Sequence, residues 1–170
     1  MTGTTKSGGL RTKAGKQFTF KNVGGGNTNI YFAAANYLKD IGDLASIQID
    51  AQLDPVLLIE SERLETLKVG DIDGSKVTSK IATLNIKKCP ALKKIDARNL
   101  SSLNGNVDLS QCPRLQEAYF EGTNISGVTI ANGSSIKKLH LPGTITTLKL
   151  VGLQYLEDFT CDDFSHIEYL

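Results

Sequence analysis

The sequence predicts a β-rich solenoid of parallel-stacked short strands, about 20–23 residues per coil with two strands in each coil, behind an N-terminal β/helix cap. Three observations predict it. The apolar triplet Φ-x-x-Φ-x-Φ recurs along the chain, and from Leu92 onward it returns about every eleven residues. The clear copies are Leu92-Ile95-Ala97, Leu115-Ala118-Phe120, Ile125-Val128-Ile130, Ile136-Leu139-Leu141, Ile145-Leu148-Leu150 and Leu156-Phe159-Cys161. Turn residues follow the triplets (Asn99, Gly122, Asn132-Gly133, Pro142-Gly143, Gly152), which leaves room for short strands and none for helices. The central apolar residues then sort into two stacks. One is Ile47, Leu67, Leu84, Val107, Val128, Leu148 and Leu170; the other is Val56, Ile95, Ala118, Leu139 and Phe159. From Ile95 the second stack advances by 23, 21 and 20 residues, and from Leu84 the first advances by 23, 21, 20 and 22. Self-similarity of this kind marks units that bury their apolar side only by stacking on the next.

Residues 1–43 read as the N-terminal segment and cap. Gln17-Phe18-Thr19-Phe20 alternates as a strand does, Gly24-Gly25-Gly26-Asn27 is a turn, and Asn29-Ile30-Tyr31-Phe32 is a second strand candidate. Residues 33–41 (AAANYLKDI) predict a helix: three alanines, then Tyr37, Leu38 and Ile41 at helical spacing, ended by Gly42. Residues 44–170 read as the repeat array, opening with Leu44-Ile47-Ile49, Leu53-Val56-Leu58, Leu64-Leu67-Val69 and Ile81-Leu84-Ile86. The polar stretch Asp71 to Lys80 is a loop on one edge. The unit Leu103…Val107-x-Leu109 carries one inserted residue. The last unit, Ile167-x-x-Leu170, is cut at its second anchor, so the chain is expected to be truncated at its C-terminus and to belong to something longer.

Composition narrows the function classes. Hydrophobic residues make up 40 % and charged residues 22 % of the 170, ordinary values for a soluble protein. A net charge of +1 gives no basic footprint for nucleic acid. No apolar run approaches the ~18 residues of a membrane span, and the first residues, MTGTTKSGGLRTKAGKQ, lack the apolar core of a signal peptide. Cys89 and Cys112 occupy equivalent Cys-Pro positions and Cys161 an inward strand position. All three read as buried apolar fillers, with a Cys89–Cys112 disulfide between coils as the alternative. Neither His140 nor His166 has ligand spacing to them, so no metal is expected.

Ile81-x-x-Leu84-x-Ile86-x-x-Cys89 resembles the leucine-rich repeat core, and the pattern covers roughly residues 44–170. Strings such as CPALKKIDARNLSSLNGNVDLSQCPRLQEAYFEGTNISGV and IKKLHLPGTITTLKL look like the irregular repeats of gut Bacteroidetes proteins and of large tail or structural proteins of their phages. The resemblance implies a protein partner or a larger parent chain, and a virion or bacterial cell-surface setting. The asparagine ladder of common leucine-rich repeats is mostly missing, and the inter-strand segments are too short for their helices.

Residues flanking the inward anchors face solvent. One column of them reads Lys94, Glu117, Lys138, Asp158, alternating in sign at every rung, and another places Arg98 over Glu121. In parallel register these would be opposite charges on neighbouring strands about 4.8 Å apart. Their bland role is to set register. Their functional role would be a charged, aromatic binding strip of Lys94, Asp96, Arg98, Glu117, Tyr119, Glu121, Lys138 and His140. Neither a phosphate loop nor a nucleophile–base set is apparent: Gly24-Gly25-Gly26 and Gly3-Thr4-Thr5-Lys6-Ser7 lack the required spacing. No cofactor and no catalysis are expected. The expected function is a non-catalytic structural or protein-interaction module. The alternative is a receptor- or glycan-binding module that uses the outward strip to hold a cell-surface glycan.

Overall fold

A computed structural model describes the backbone of strands within residues 7–49, and residues 56–69, 81–148, 150 and 152–165. The strands are β1 (Ser7–Arg11), β2 (Gln17–Asn22), β3 (Thr28–Phe32), β4 (Asn36–Leu38), β5 (Leu44–Ile49), β6 (Val56–Ser61), β7 (Thr66–Val69), β8 (Thr83–Lys87), β9 (Lys94–Asp96), β10 (Asn104–Leu109), β11 (Glu117–Tyr119), β12 (Asn124–Ile130), β13 (Lys138–Leu141) and β14 (Asp158–Cys161). The described residues contain no helix.

From β5 onward the chain alternates between two sides. Odd-numbered strands, and finally β14, join a long sheet ordered β1-β2-β5-β7-β9-β11-β13-β14. Its first two pairings are antiparallel, and all later ones are parallel. On the other side lie β4-β3-β6-β8, antiparallel until β6 meets β8 in parallel, and the parallel pair β10-β12. The two groups adjoin where the Asn104 N–H donates to the Ala82 carbonyl at 3.0 Å. Parallel strands need a crossover; up to β13 each crossover is a further strand with its turns, and between β13 and β14 it is marked, among the described residues, only by an isolated bridge from Thr147 to Gly127.

The core lies between the two sides as one cluster. Leu67, Ile95, Ala118 and Leu139 face it from the long sheet, and Leu57, Ile59, Leu84, Ile86, Val107 and Leu109 from the other. Each is under 5 % exposed, so the alternation of apolar and polar residues translates directly into inside and outside. Cys89 and Cys112 are fully buried and free, not bridged; Cys161 is half-buried and free. The β10–β12 register shifts between Gly105 and Asn106, which pair with Ile125 and Gly127, so the unpaired extra residue is Ser126 of β12; Gly105 has φ of 74°.

Four expectations are corrected. Residues 36–38, inside the expected helix of 33–41, form strand β4 instead, paired antiparallel with β3 through Ile30–Leu38 and Tyr31–Tyr37; the flanking residues lie outside the described set. Helix propensity is a weak local preference, and pairing with a strand overrides it. In β6 the inward residues are Leu57, Ile59 and Ser61, whereas Val56 and Leu58 are only partly buried. Val56-Leu57-Leu58-Ile59 is unbroken apolar sequence, so its phase is set by pairing Leu57 with Leu84 and Ile59 with Ile86. Consequently the stacks exchange members. Ile47 and Leu67 align with Ile95, Ala118, Leu139 and Phe159, and Leu57 aligns with Leu84. The step from Leu67 to its partner Ile95 spans 28 residues, longer than the expected 20–23, because it contains the polar stretch 71–80. That stretch, the Gly24 turn, His166 and Leu170 lie outside the described residues.

Candidate functional site: the outward face of the long sheet

The register of the long sheet places side chains in columns. One column is Thr66, Lys94, Glu117, Lys138, Asp158, and a second is Lys68, Asp96, Tyr119, His140, Thr160. All eight residues expected to form the strip therefore fall on this face, or in Arg98 and Glu121 just beyond the ends of β9 and β11.

Most of these groups are partnered with one another. Lys94 Nζ donates to Glu117 Oε2 at 2.7 Å, and the Tyr119 hydroxyl donates to the same oxygen at 3.1 Å. Lys94 Nζ also lies 5.0 Å, and Arg98 Cζ 5.2 Å, from the centre of the Tyr119 ring, within cation–π range. The hydrogen bond from Lys94 holds the Glu117 carboxyl below its ordinary value. Burial, with the hydrogen bond to Glu117, pushes the Tyr119 hydroxyl up to about 12.

Arg98 does not pair with Glu121 as expected from the column. It grips Asp96, two residues earlier at the end of β9, with two bonds, Nε to Oδ1 at 2.9 Å and Nη2 to Oδ2 at 2.7 Å. Asp96 is only 5 % exposed. Burial alone would raise its carboxyl, but the guanidinium outweighs that and the group stays ionised below its usual range. Glu121 turns instead to His140, with Oε1 at 2.9 Å from Nδ1. The other imidazole nitrogen, Nε2, is 3.1 Å from Asp158 Oδ2, an ion-pair contact whose geometry falls short of a hydrogen bond. The Tyr119 and His140 rings meet edge to face, 5.0 Å between centroids. Lys138 stands between Glu117 and Asp158 in register and acts on Glu117 by its charge without an ion-pair contact.

A further column was not anticipated. Residues one position before the first column run Glu65, Lys93, Gln116, Lys137, Glu157, joined by backbone bonds from strand to strand. Lys93 pairs with Glu65 at 3.0 Å and Lys137 with Glu157 at 3.4 Å. These residues lie two positions before each central anchor, one step further back than Lys94 and Glu117. Both members of the pairs Lys93–Glu65 and Lys137–Glu157 are more than two-fifths exposed, so each of these pairs contributes at most about 1 kcal/mol.

Elsewhere the chemistry is muted. Burial pushes the Cys89 thiol up to about 11 and the Cys112 thiol up to about 12, which makes both poor nucleophiles. No group of three or more His, Cys, Asp and Glu among the described residues could hold a metal ion. No helix among them is long and apolar enough to cross a membrane. On the opposite side, an open cleft of about 430 Å³ is rimmed by Asn106, Thr129, Asn132 and Thr147. No protein-family model matches the chain, and no curated protein or solved structure is significantly similar to it.

Proposed function

We propose that the chain is part of an irregular leucine-rich-repeat solenoid that acts as a non-catalytic structural or protein-interaction module in a larger phage tail, virion or bacterial surface protein. One observation carries the reading: on the outward face of the long sheet, charges of neighbouring strands neutralise each other in register, Lys94 with Glu117, Lys93 with Glu65 and Lys137 with Glu157. Groups spent on their neighbours fix strand alignment and stiffen the face. They are poorly disposed to capture a charged ligand or to transfer protons. The Φ-x-x-Φ-x-Φ resemblance and the alternation between two sides support the solenoid. The thiols raised by burial and the carboxylates held ionised support a non-catalytic role.

The second reading, a receptor- or glycan-binding module, is favoured by the accessible Tyr119 ring flanked by Lys94 and Arg98. A glycan array probed with the intact chain, together with a Tyr119→Ala variant, separates the two. The structural reading expects no saturable binding from either protein. Binding by the parent chain that vanishes in Tyr119→Ala would replace it with the adhesin reading.

A further inference from the structure

His140 is the only histidine among the described residues, and it sits on β13, which pairs with the last strand of the long sheet's order. β14 is the terminal strand in the sheet order. Its residues are at best partly buried, in contrast to the fully buried alternate residues of β13. In β14, Phe159 and Cys161 pack on the core only in part, whereas Ile95, Ala118 and Leu139 of the preceding strands are fully buried. Side-chain contacts to β13 therefore matter more here than in the sheet's interior.

The imidazole lies across three adjacent strands. Nδ1 is 2.9 Å from Glu121, just after β11, and Nε2 is 3.1 Å from Asp158 on β14. The second oxygen of Glu121, Oε2, is buried without a hydrogen-bond partner, so its contact with His140 is the main compensation for that carboxylate. The other groups facing the ring are Tyr119 of β11, whose hydroxyl is tied to Glu117, and Arg98, stacked on Tyr119 and committed to Asp96. Lys138, two residues away on β13, contributes a like charge. A doubly protonated imidazole presents a donor to each carboxylate; a neutral one leaves one carboxylate facing a lone pair.

We infer that His140 is a protonation-dependent clasp: charged, it binds Glu121 and Asp158 together and pins β14 to the sheet, and neutral, it lets β14 fray and uncovers the apolar edge around Leu141 and Phe159. The direction follows from the environment. Burial lowers the imidazole pKa, but the two carboxylates outweigh burial and raise it above 6.5. A group raised in the folded form stabilises fully below its unfolded value and ceases to do so as pH climbs through the raised one. The clasp is thus closed in mildly acidic solution and opens as the medium becomes alkaline.

Amide hydrogen exchange on the full chain tests this, with the protection of Asp158–Cys161 expressed relative to that of Glu117–Tyr119 so that intrinsic pH effects cancel. Between about pH 5.5 and about pH 8.5 the relative protection of β14 should fall roughly fivefold, the equivalent of about 1 kcal/mol. In His140→Gln it should stay low and flat. A flat ratio in the unmodified protein, or an undiminished fall in His140→Gln, overturns the clasp. Asp158→Asn provides a second route: the His140 titration followed by NMR should shift down toward 6.5, and an unchanged midpoint would equally overturn it.

Discussion

Leu139 and Lys138 are neighbours on β13 with opposite fates. Leu139 is fully buried between Ala118 and Phe159, its register partners on β11 and β14, and belongs to the single core cluster. Lys138 points outward and makes no ion-pair contact. Truncating Leu139 to Ala removes three carbons from a site whose neighbours are held by parallel ladders on both sides, so collapse into the void is limited. Large-to-small changes of this type cost about 2–5 kcal/mol, and the poor collapse puts Leu139→Ala near the middle, about 3 kcal/mol. For a chain of this size each kcal/mol moves the melting temperature by about 2–4 °C, which makes the expected drop about 6–12 °C. Lys138→Ala should stay within about 0.5 kcal/mol, under 2 °C. Thermal unfolding followed by circular dichroism reads both. Leu139→Asp should be worse than either, because the carboxylate would be buried without a partner. Equal melting temperatures for Leu139→Ala and Lys138→Ala would refute the assignment of inward and outward faces.

Three further outcomes follow from single features. Gly122 has φ of 70°, and a Cβ there would come within 2.7 Å of Asn99 Oδ1; Gly122→Ala should cost about 1–2 kcal/mol in chemical denaturation. Asp96 and Glu117 are depressed in the folded chain, so their contribution is present above the ordinary carboxylate range and is lost as pH falls through their folded values; an acid titration of stability should flatten in Asp96→Asn. Of the three thiols, Cys89 and Cys112 are sealed and shifted upward while Cys161 is half-buried; Ellman's reagent should titrate one thiol in the folded chain and three in denaturant, and rapid labelling of all three would contradict the burial.

The sequence was most informative where its alternation is clean. Ile95, Ala118, Leu139 and Phe159 recur at spacings that match the observed register residue for residue, and Lys94, Glu117, Lys138 and Asp158 follow from them by one step. It misled where alternation disappears. The run Val56-Leu57-Leu58-Ile59 fits either phase, and only pairing with Leu84 and Ile86 selects one. The alanines of 33–35 speak for a helix locally, yet Asn36–Leu38 pairs antiparallel with the strand Thr28–Phe32. Period and offset also say nothing of side-chain reach. Arg98 is long enough to fold back on Asp96, and Glu121 reaches diagonally to His140; both contacts depend on rotamers, not on position in a column. The strip's residues were therefore legible, and their partners only partly so.

The central claim is that side chains 23 residues apart meet in register across adjacent parallel strands and hold each other there. A double-mutant cycle on Lys94 and Glu117, using Lys94→Met and Glu117→Gln in chemical denaturation, tests it most directly, since the two are joined at 2.7 Å in the folded chain and are distant in sequence. The account predicts a favourable coupling of about 0.3–1 kcal/mol that shrinks as salt is raised to about 1 M. Strictly additive single mutants at low salt would contradict it.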